Sequence, residues 1–339
     1  MTTTSPFEAN IAEQPGALRD FARLPLAEGV EKIQLDSFDR VILTGMGASH
    51  HCALPTWRQL VARGYPAWWL STSELLDSPA LLTSNSLLWI TSQSGRSGEI
   101  VALLDEIDGC RPSFTLGVTN DLASPLAERS DVVVDLCSGE EATVSSKSYL
   151  NSLAAHHVLA EKLIGVEESE SLGTVLTAAD ELSSWTAPID AIRAMATGAL
   201  AFDAPRLALI GSGNQSASAL LGALVIKEAA KLSAEGFVGG EFRHGPLEMA
   251  GPGLTAVLYT GRGESRNLQQ LGSDLRESGS TVIEIGAARG GEIVTASTSE
   301  LSQMMLETVF TQLLSVELAR AQGFVPGEFR FGKKITSSL

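Results

Sequence analysis

Two residues have the type and spacing for moving a proton to and from carbon. Glu228 falls in the run Ala-Leu-Leu-Gly-Ala-Leu-Val-Ile-Lys-Glu, which predicts a helix from about Ser216 to Leu232. Leu221, Leu224, Val225 and Leu232 form an apolar stripe at helical spacing, and Glu228 sits on it between Leu224 and Leu232. A carboxylate on an apolar face is partly desolvated, which raises its pKa toward the range of a general base. The plainer alternative is a glutamate at the stripe's edge that reaches water. His244 follows in a loop bounded by Gly239-Gly240 and Gly245-Pro246. One carboxylate and one loop imidazole make an acid/base pair suited to a carbon acid.

An anion site is expected at Ser92-Gln93-Ser94-Gly95-Arg96-Ser97, between a predicted strand and a predicted helix. Three hydroxyls, an amide side chain and backbone N–H groups at a helix N-terminus suit a dianionic phosphate. No Gly-Lys-Ser/Thr follows, so this is not a Walker loop; the bland reading is an ordinary polar strand-to-helix turn. Gly45-Met46-Gly47-Ala48-Ser49-His50 has histidine where a dinucleotide fingerprint has its third glycine. Close approach to a smaller ligand, with Ser49 donating, is the better use. Ser145 or Ser146 is expected to cap a long helix, with a sugar contact as the sharper alternative. The adjacent pairs His50-His51 and His156-His157 point apart on a helix, which favours packed or surface histidines over metal ligands. Lys333 and Lys334 follow Phe329 and Phe331, and a lysine on such a packed tail can reach a carbonyl.

The elements that would position these groups read as α/β. Pro15 suits the first turn of a helix whose apolar face is Ala17, Leu18, Phe21 and Leu24. Strands are predicted at Val41–Thr44, Leu87–Thr91, Phe114–Val118 and Val132–Leu136. Helices are predicted from Ser49 through Leu60, to about Ile107, and from about Ser145 to Leu163. The acidic Val166–Gly173 reads as a linker or loop, and Thr174–Thr197 as mostly helical. The second half repeats the first: Asp39-Arg40-Val-Ile-Leu-Thr-Gly-Met-Gly matches Pro205-Arg206-Leu-Ala-Leu-Ile-Gly-Ser-Gly, and the strand around Trp89 matches that around Val257. Thr281–Ile285 is a further strand and Leu301–Ala321 an amphipathic helix. The turn Tyr259–Gly263 lacks the serine cluster, so phosphate binding is expected in one half only. The expected division is 1–36 helical segment, 37–165 first domain, 166–190 linker and 191–339 second domain with its tail.

The chain's 339 residues are 44% hydrophobic, enough for one or two full cores, and its net charge of -16 argues against nucleic acid or anionic membrane as main partner. Cys52, Cys110 and Cys137 are scattered and fit a reducing cytoplasm. Met1–Ala9 has no apolar core of a signal peptide, and no run of about 18 apolar residues suggests a membrane span.

The ordered set Glu13-Gln14-Pro15, MGAS, TSQSGRSGE, VTN, SPLAERSDVVV, GEEATVSSKSYL, GALVIKEAAKLSAEGFVGGEFRHGP and KKIT resembles the sugar isomerase (SIS) family in its double-domain form. The similarity extends to the isomerase half of glutamine–fructose-6-phosphate aminotransferase, to SIS-type glucosamine-6-phosphate deaminases and to fructosamine-6-phosphate deglycases. It implies two tandem SIS domains, each a parallel sheet between helix layers. It also implies a cytoplasmic homodimer that needs no metal or organic cofactor and binds a sugar phosphate. By resemblance Ser49, Ser92, Gln93, Ser94, Ser97 and Ser145 hold phosphate and sugar hydroxyls. Glu228 shuttles the proton between C1 and C2, His244 opens the ring from the neighbouring subunit, and Lys333 assists. Where the aminotransferase helix carries a glutamate and a lysine, this chain has Leu221 and Val225, and Ala48 replaces a serine or threonine. These departures imply a different sugar or a different half of the chemistry. The sequence begins Met1-Thr2-Thr3 without a glutaminase segment or its N-terminal cysteine, so ammonia is not expected to come from glutamine. The expected activity is an amino-sugar-phosphate isomerase/deaminase. The alternatives are a fructosamine-6-phosphate deglycase or plain aldose–ketose isomerase, and a phosphosugar-binding sensor.

Overall fold

The computed structural model describes residues 4–107, 109, 112–263, 265–287 and 292–336. Cys110 and Met1-Thr2-Thr3, singled out in the sequence, lie outside the described residues. In chain order the elements are α1 (Pro6–Phe21), β1 (Arg40–Gly45), α2 (Ala48–His51), α3 (Leu54–Ala62), β2 (Ala67–Ser71), α4 (Thr72–Asp77), β3 (Ser86–Thr91), α5 (Gly98–Ile107), β4 (Phe114–Thr119), α6 (Pro125–Arg129), β5 (Val132–Asp135) and α7 (Lys147–Leu163). There follow α8 (Glu168–Ser184), α9 (Ile189–Ala199), β6 (Arg206–Gly211), α10 (Gln215–Ala230), β7 (Ala234–Val238), β8 (Leu254–Gly261), α11 (Arg266–Glu277), β9 (Thr281–Gly286), β10 (Ile293–Val294) and α12 (Glu300–Ala321).

Two five-stranded parallel sheets result, in the orders β2-β1-β3-β4-β5 and β10-β9-β8-β6-β7. Reversed, the second order is the first with each strand replaced by its counterpart, so the repeat read at Arg40 and Arg206 is a repeat of topology. The chain forms two compact units. The β1–β5 unit comprises Gly16–Glu141, Lys147–Leu176 and Phe331–Leu339; the β6–β10 unit comprises Met1–Pro15, Ala142–Ser146 and Thr177–Arg330.

Parallel strands need helices on both faces, and the buried residues show them. In the β6–β10 unit, Leu207 and Leu209 face one way with Val257, Tyr259, Ile283 and Ile285, against Ala223 and Ile226 of α10 and Phe310 and Leu314 of α12. Ala208, Ile210, Ala256 and Leu258 face the other way, against Leu268, Leu271 and Leu275 of α11. The alternation is the two-residue period of a strand. Gly222 lets α10 lie close on the sheet, because a Cβ there would stand 2.6 Å from both Leu209 Cδ2 and the Tyr259 hydroxyl. In the β1–β5 unit, Ile100, Leu103, Leu104 and Ile107 form the helical face of α5 against Ile42, Leu88 and Ile90.

Several expectations change. Pro15 is inside α1, whose first turn carries Pro6 instead. Proline has no N–H for the carbonyl of Ile11, and the Gln14 side chain supplies the missing donor, Nε2 to Ile11 O at 3.0 Å. The helix expected from Ser49 through Leu60 is two pieces, α2 and α3, parted at Cys52-Ala53. Val166–Gly173 is not an open linker, since α8 begins at Glu168 with Glu168 and Glu170 in the first turn, where acids favour the helix dipole. The long helix α7 starts at Lys147 rather than Ser145. Among the described residues no helix is long and apolar enough to cross a membrane.

Candidate functional site

In the β1–β5 unit the strand order turns at β1 and β3, whose next neighbours are on opposite sides. Ligands of open parallel sheets collect outside the carboxyl ends of the strands at such a reversal. Gly45 is in register with Thr91, so the turns carrying Ser49 and Ser92–Ser97 emerge side by side there. Sheet register alone thus brings two of the candidate loops out at adjacent strand ends.

The Ser92–Ser97 turn is built by its own side chains. The hydroxyl of Ser92, which is 5% exposed, accepts the N–H of Gly95 at 3.1 Å, and the Ser94 hydroxyl accepts the N–H of Arg96 at 3.2 Å. Gly95 has φ +59, and a Cβ on it would lie 2.1 Å from Ser124 Oγ, so only glycine fits. The Gln93 carbonyl accepts the N–H of Asn120 at 3.0 Å. Arg96 is turned away, its Nε donating to Asp121 at 2.8 Å and Nη2 to the Ala123 carbonyl at 2.5 Å. Arg96 holds the Asp121 carboxyl below the usual range through this bond, with help from the Ala123 N–H. The side chains of Ser49, Gln93 and Ser97 are half-buried and have no protein partner among the described residues. Ser92 and Ser94 thus both build the turn and each keeps an O–H to donate, while Ser49, Gln93 and Ser97 are side chains without a protein partner among the described residues.

Beside Ser49, His50 stacks on Trp69 with centroids 4.1 Å apart, and the Trp69 Nε1–H donates to the His50 carbonyl at 2.8 Å. Burial pushes the His50 imidazole down to about 4, so it stays neutral at physiological pH. His156 is a packed core histidine. It stacks on Trp89 at 4.7 Å, with its ring nitrogens on Thr91 Oγ1 at 2.8 Å and Thr56 Oγ1 at 3.2 Å, and burial pushes it to about 3.

Glu228, in the β6–β10 unit, is half-buried near the end of α10. The stripe expected from the sequence is not what the helix shows. Leu221 and Val225 are buried at 1% exposure, but so are Ser216, Ser218, Ala219, Ala223, Ile226 and Ala229, because α10 is covered on most of its circumference. Leu224 shares the half-buried class of Glu228, and both lie on the less covered side. Lys231 ends α10 at φ 60, and its ammonium donates to the Glu228 carbonyl. Burial and the Arg330 charge push that ammonium down, against the pull of Glu228 and Glu328.

His244, also in the β6–β10 unit, is exposed. Its loop is anchored just before it: Phe242 is fully buried edge-on to Phe237 at 5.0 Å, and Arg243 pairs with Asp274 of α11 at 2.8 Å. The His244 imidazole follows these anchors, exposed and without a hydrogen-bond partner among the described residues. Ser145 is half-buried in the Ala142–Ser146 segment of this unit, just before α7. In the first turn of α7, Glu141 Oε1 accepts the Ser148 N–H at 2.9 Å. Lys333 is exposed on the tail segment of the β1–β5 unit. Its neighbour Lys334 pairs with Glu141 at 2.6 Å.

Sequence reasoning missed Glu141, whose partner lies 193 residues away, and Glu307 of α12. Glu307 is fully buried and desolvation pushes it up to about 8, with hydrogen bonds from Gln303 and Ser218 opposing. The signal for Glu307 was a charged residue at a core position of an amphipathic helix; Glu141 carried no local signal. No group of three or more His, Cys, Asp or Glu among the described residues is placed to hold a metal ion.

The chain is 30% identical over 327 residues to glutamine–fructose-6-phosphate aminotransferase [isomerizing] of Pyrococcus horikoshii, covering 93% of this chain and 52% of that protein. It is 27% identical to the Clostridium perfringens protein of the same description, covering 93% and 56%. The chain thus spans about half the length of these relatives. Among solved structures, the C-terminal domain of the Francisella tularensis aminotransferase has TM-score 0.77 at 20% identity, covering 96% of this chain and 99% of that one. A Thermotoga maritima glucosamine-6-phosphate deaminase has TM-score 0.77 at 22% identity, covering 98% and 99%. Escherichia coli tagatose-6-phosphate ketose/aldose isomerase has TM-score 0.75 at 19% identity, covering 95% and 94%. These likenesses are of fold. The SIS domain family itself matches residues 34–162 and 201–321, one segment on each sheet, and with two parallel α/β domains in tandem this chain belongs to that family.

Proposed function

We propose that this protein is a phosphosugar isomerase/deaminase acting on an amino-sugar phosphate of the glucosamine-6-phosphate kind. The observation that carries the reading is the crevice at β1 and β3, where a prebuilt serine turn leaves Gln93, Ser97 and Ser49 without protein partners. A helix N-terminus with loose hydroxyl and amide groups suits a phosphate and the hydroxyls next to it. The relatives' descriptions support the same class of ligand.

In this reading the phosphate is anchored by Ser94 and Ser97 and the sugar by Ser49, Gln93 and Ser145. His244 is supplied by the second subunit of a homodimer, which its exposure on an anchored loop supports. With Lys333 it opens the ring. Glu228 then carries a proton between C2 and C1 through an enediol or enolamine, and water releases an amine held at either carbon. None of these proton transfers requires a metal or organic cofactor.

One observation favours a second reading. Leu221 and Val225, where the aminotransferases carry charged residues, are apolar and buried. A site without those groups also fits a fructosamine-6-phosphate deglycase or a plain aldose–ketose isomerase. A sensor without turnover gives no use to Glu228 and His244. The test is incubation with glucosamine-6-phosphate in heavy water, following ammonia enzymatically and the sugar by proton NMR. Ammonia with deuterium at carbon supports the deaminase. Exchange without ammonia supports the isomerase. Neither, with fructosamine-6-phosphate also unchanged, overturns the enzymatic reading.

A further inference from the structure

The tail after α12 is fastened inside the β1–β5 unit at two points. Lys334 Nζ meets Glu141 Oε2 at 2.6 Å, and the Thr336 carbonyl accepts the N–H of Gly98, the first residue of α5, at 2.9 Å. The Glu141 side chain has no solvent exposure, while that of Lys334 keeps 23%. A buried carboxylate is tolerated only when paired and hydrogen-bonded. Glu141 accepts from Lys334, from the Ser148 N–H at 2.9 Å and from the Ser148 hydroxyl at 2.7 Å. Burial pushes its pKa up, but the Lys334 charge and these bonds outweigh burial and hold it below the ordinary value. The carboxylate therefore stays charged and ties the tail to the first turn of α7.

The second fastening lies at the anion turn. Gly98 follows Ser97 directly, and its N–H is one of the free donors at the start of a helix. Thr336 takes it, so an anion on this turn must use the groups before it. Chain length holds Lys333 within about 11 Å of Thr336. Lys333 itself is exposed and makes no hydrogen bond or ion pair among the described residues.

We propose that Glu141 and Lys334 form a latch that positions the tail so that Lys333 is presented at the Ser92–Ser97 turn. Lys334 is the positioning residue and Lys333 the one that meets the substrate. The role of Lys333 rests on the phosphosugar reading above; the latch does not.

The test uses the full chain as Lys333→Ala, Lys334→Met and the double variant, with Glu141→Gln as a second way of opening the latch. Turnover of glucosamine-6-phosphate, fructose-6-phosphate and fructosamine-6-phosphate is measured with hydrogen exchange of the Gly98 amide, the N–H that the tail accepts. Lys334→Met should lower kcat/KM by about 10²-fold, the scale of a misplaced catalytic group. The double variant should be no worse than Lys333→Ala alone, because Lys334 acts through Lys333. Exchange of the Gly98 amide should accelerate in Lys334→Met and stay slow in Lys333→Ala, and Lys334→Arg should recover most of the protection. Additive losses in the double variant, or unchanged exchange in Lys334→Met, would overturn the latch. If the unaltered protein turns over none of these sugar phosphates, fructosamine-6-phosphate included, the phosphosugar reading and the role of Lys333 fall, and exchange alone decides the latch.

Discussion

Gly95 and Ser124 face each other so closely that a methyl group on Gly95 would stand 2.1 Å from the Ser124 hydroxyl oxygen. The contact is what lets the 92–97 turn lie down against the start of α6, with the Leu126 N–H reaching the Gly95 carbonyl at 3.3 Å. Gly95→Ala meets both the clash and a positive φ, each costing of order 1 kcal/mol or more. The variant is expected to unfold at lower temperature and to bind hexose 6-phosphates weakly. Calorimetric titration shows it, and binding as tight as in the unaltered protein would remove the turn from the site.

Glu228→Gln keeps the shape of the side chain and removes the base. Turnover should fall about 10²- to 10⁴-fold, the usual size of a general-base contribution, while affinity for the sugar phosphate changes little. Steady-state kinetics together with direct binding separate the two, and retained turnover would end the role given to Glu228.

Glu307 makes stability depend on pH in a defined sense. Its folded pKa is raised to about 8 from the ordinary 4.5, chiefly by burial. Below pH 4.5 both states hold the proton. Between 4.5 and 8 the unfolded chain releases it and the folded one does not, so this group's contribution falls as pH rises, and above 8 it levels off. Glu307→Gln imitates the protonated acid: its amide can donate to Ser218 and its oxygen accept from Gln303, the partners at 2.8 and 3.0 Å. The variant is expected to be more stable than the parent at pH 8 by on the order of a few kcal/mol, with the gap closing toward pH 5. Thermal unfolding across that range is the measurement, and a gap that does not vary with pH would refute it.

Gln14 replaces a donor that Pro15 lacks. Besides the Ile11 carbonyl, its Nε2 serves Gln312 Oε1 at 2.8 Å, both side chains being fully buried. Gln14→Leu leaves two buried acceptors unpaired and should cost about 1–3 kcal/mol. Adding Pro15→Ala returns a backbone N–H to Ile11 and should recover part of the loss. Denaturant unfolding of the single and double variants decides it; a double variant less stable than Gln14→Leu would count against this account.

Much of this protein follows from local pattern. Continuous apolar runs mark buried parallel strands, so β1, β3, β4, β5 and β9 were legible within a residue or two, and the duplication through Arg40 and Arg206 pointed to β6 and β8. The serine turn was legible because hydroxyls, amide and glycine sit within one short segment. Other features depend on partners far along the chain, and no window of sequence holds both members. The stripe on α10 misled because neighbouring elements, not its own periodicity, decide how much of a helix is covered. Pro15 misled because a glutamine side chain supplies the bond that proline forfeits. The sequence by itself determined most of the strands, the repeat and the local build of the serine turn, since these rest on interactions between near neighbours, whereas β2, β7 and β10 were not read from it. The tertiary structure decided that the turns of Ser49 and Gln93 leave adjacent strand ends, that the Ser92 hydroxyl braces its own turn, and that Glu141 holds Lys334. Burial and pairing across long stretches of chain are properties of the folded packing.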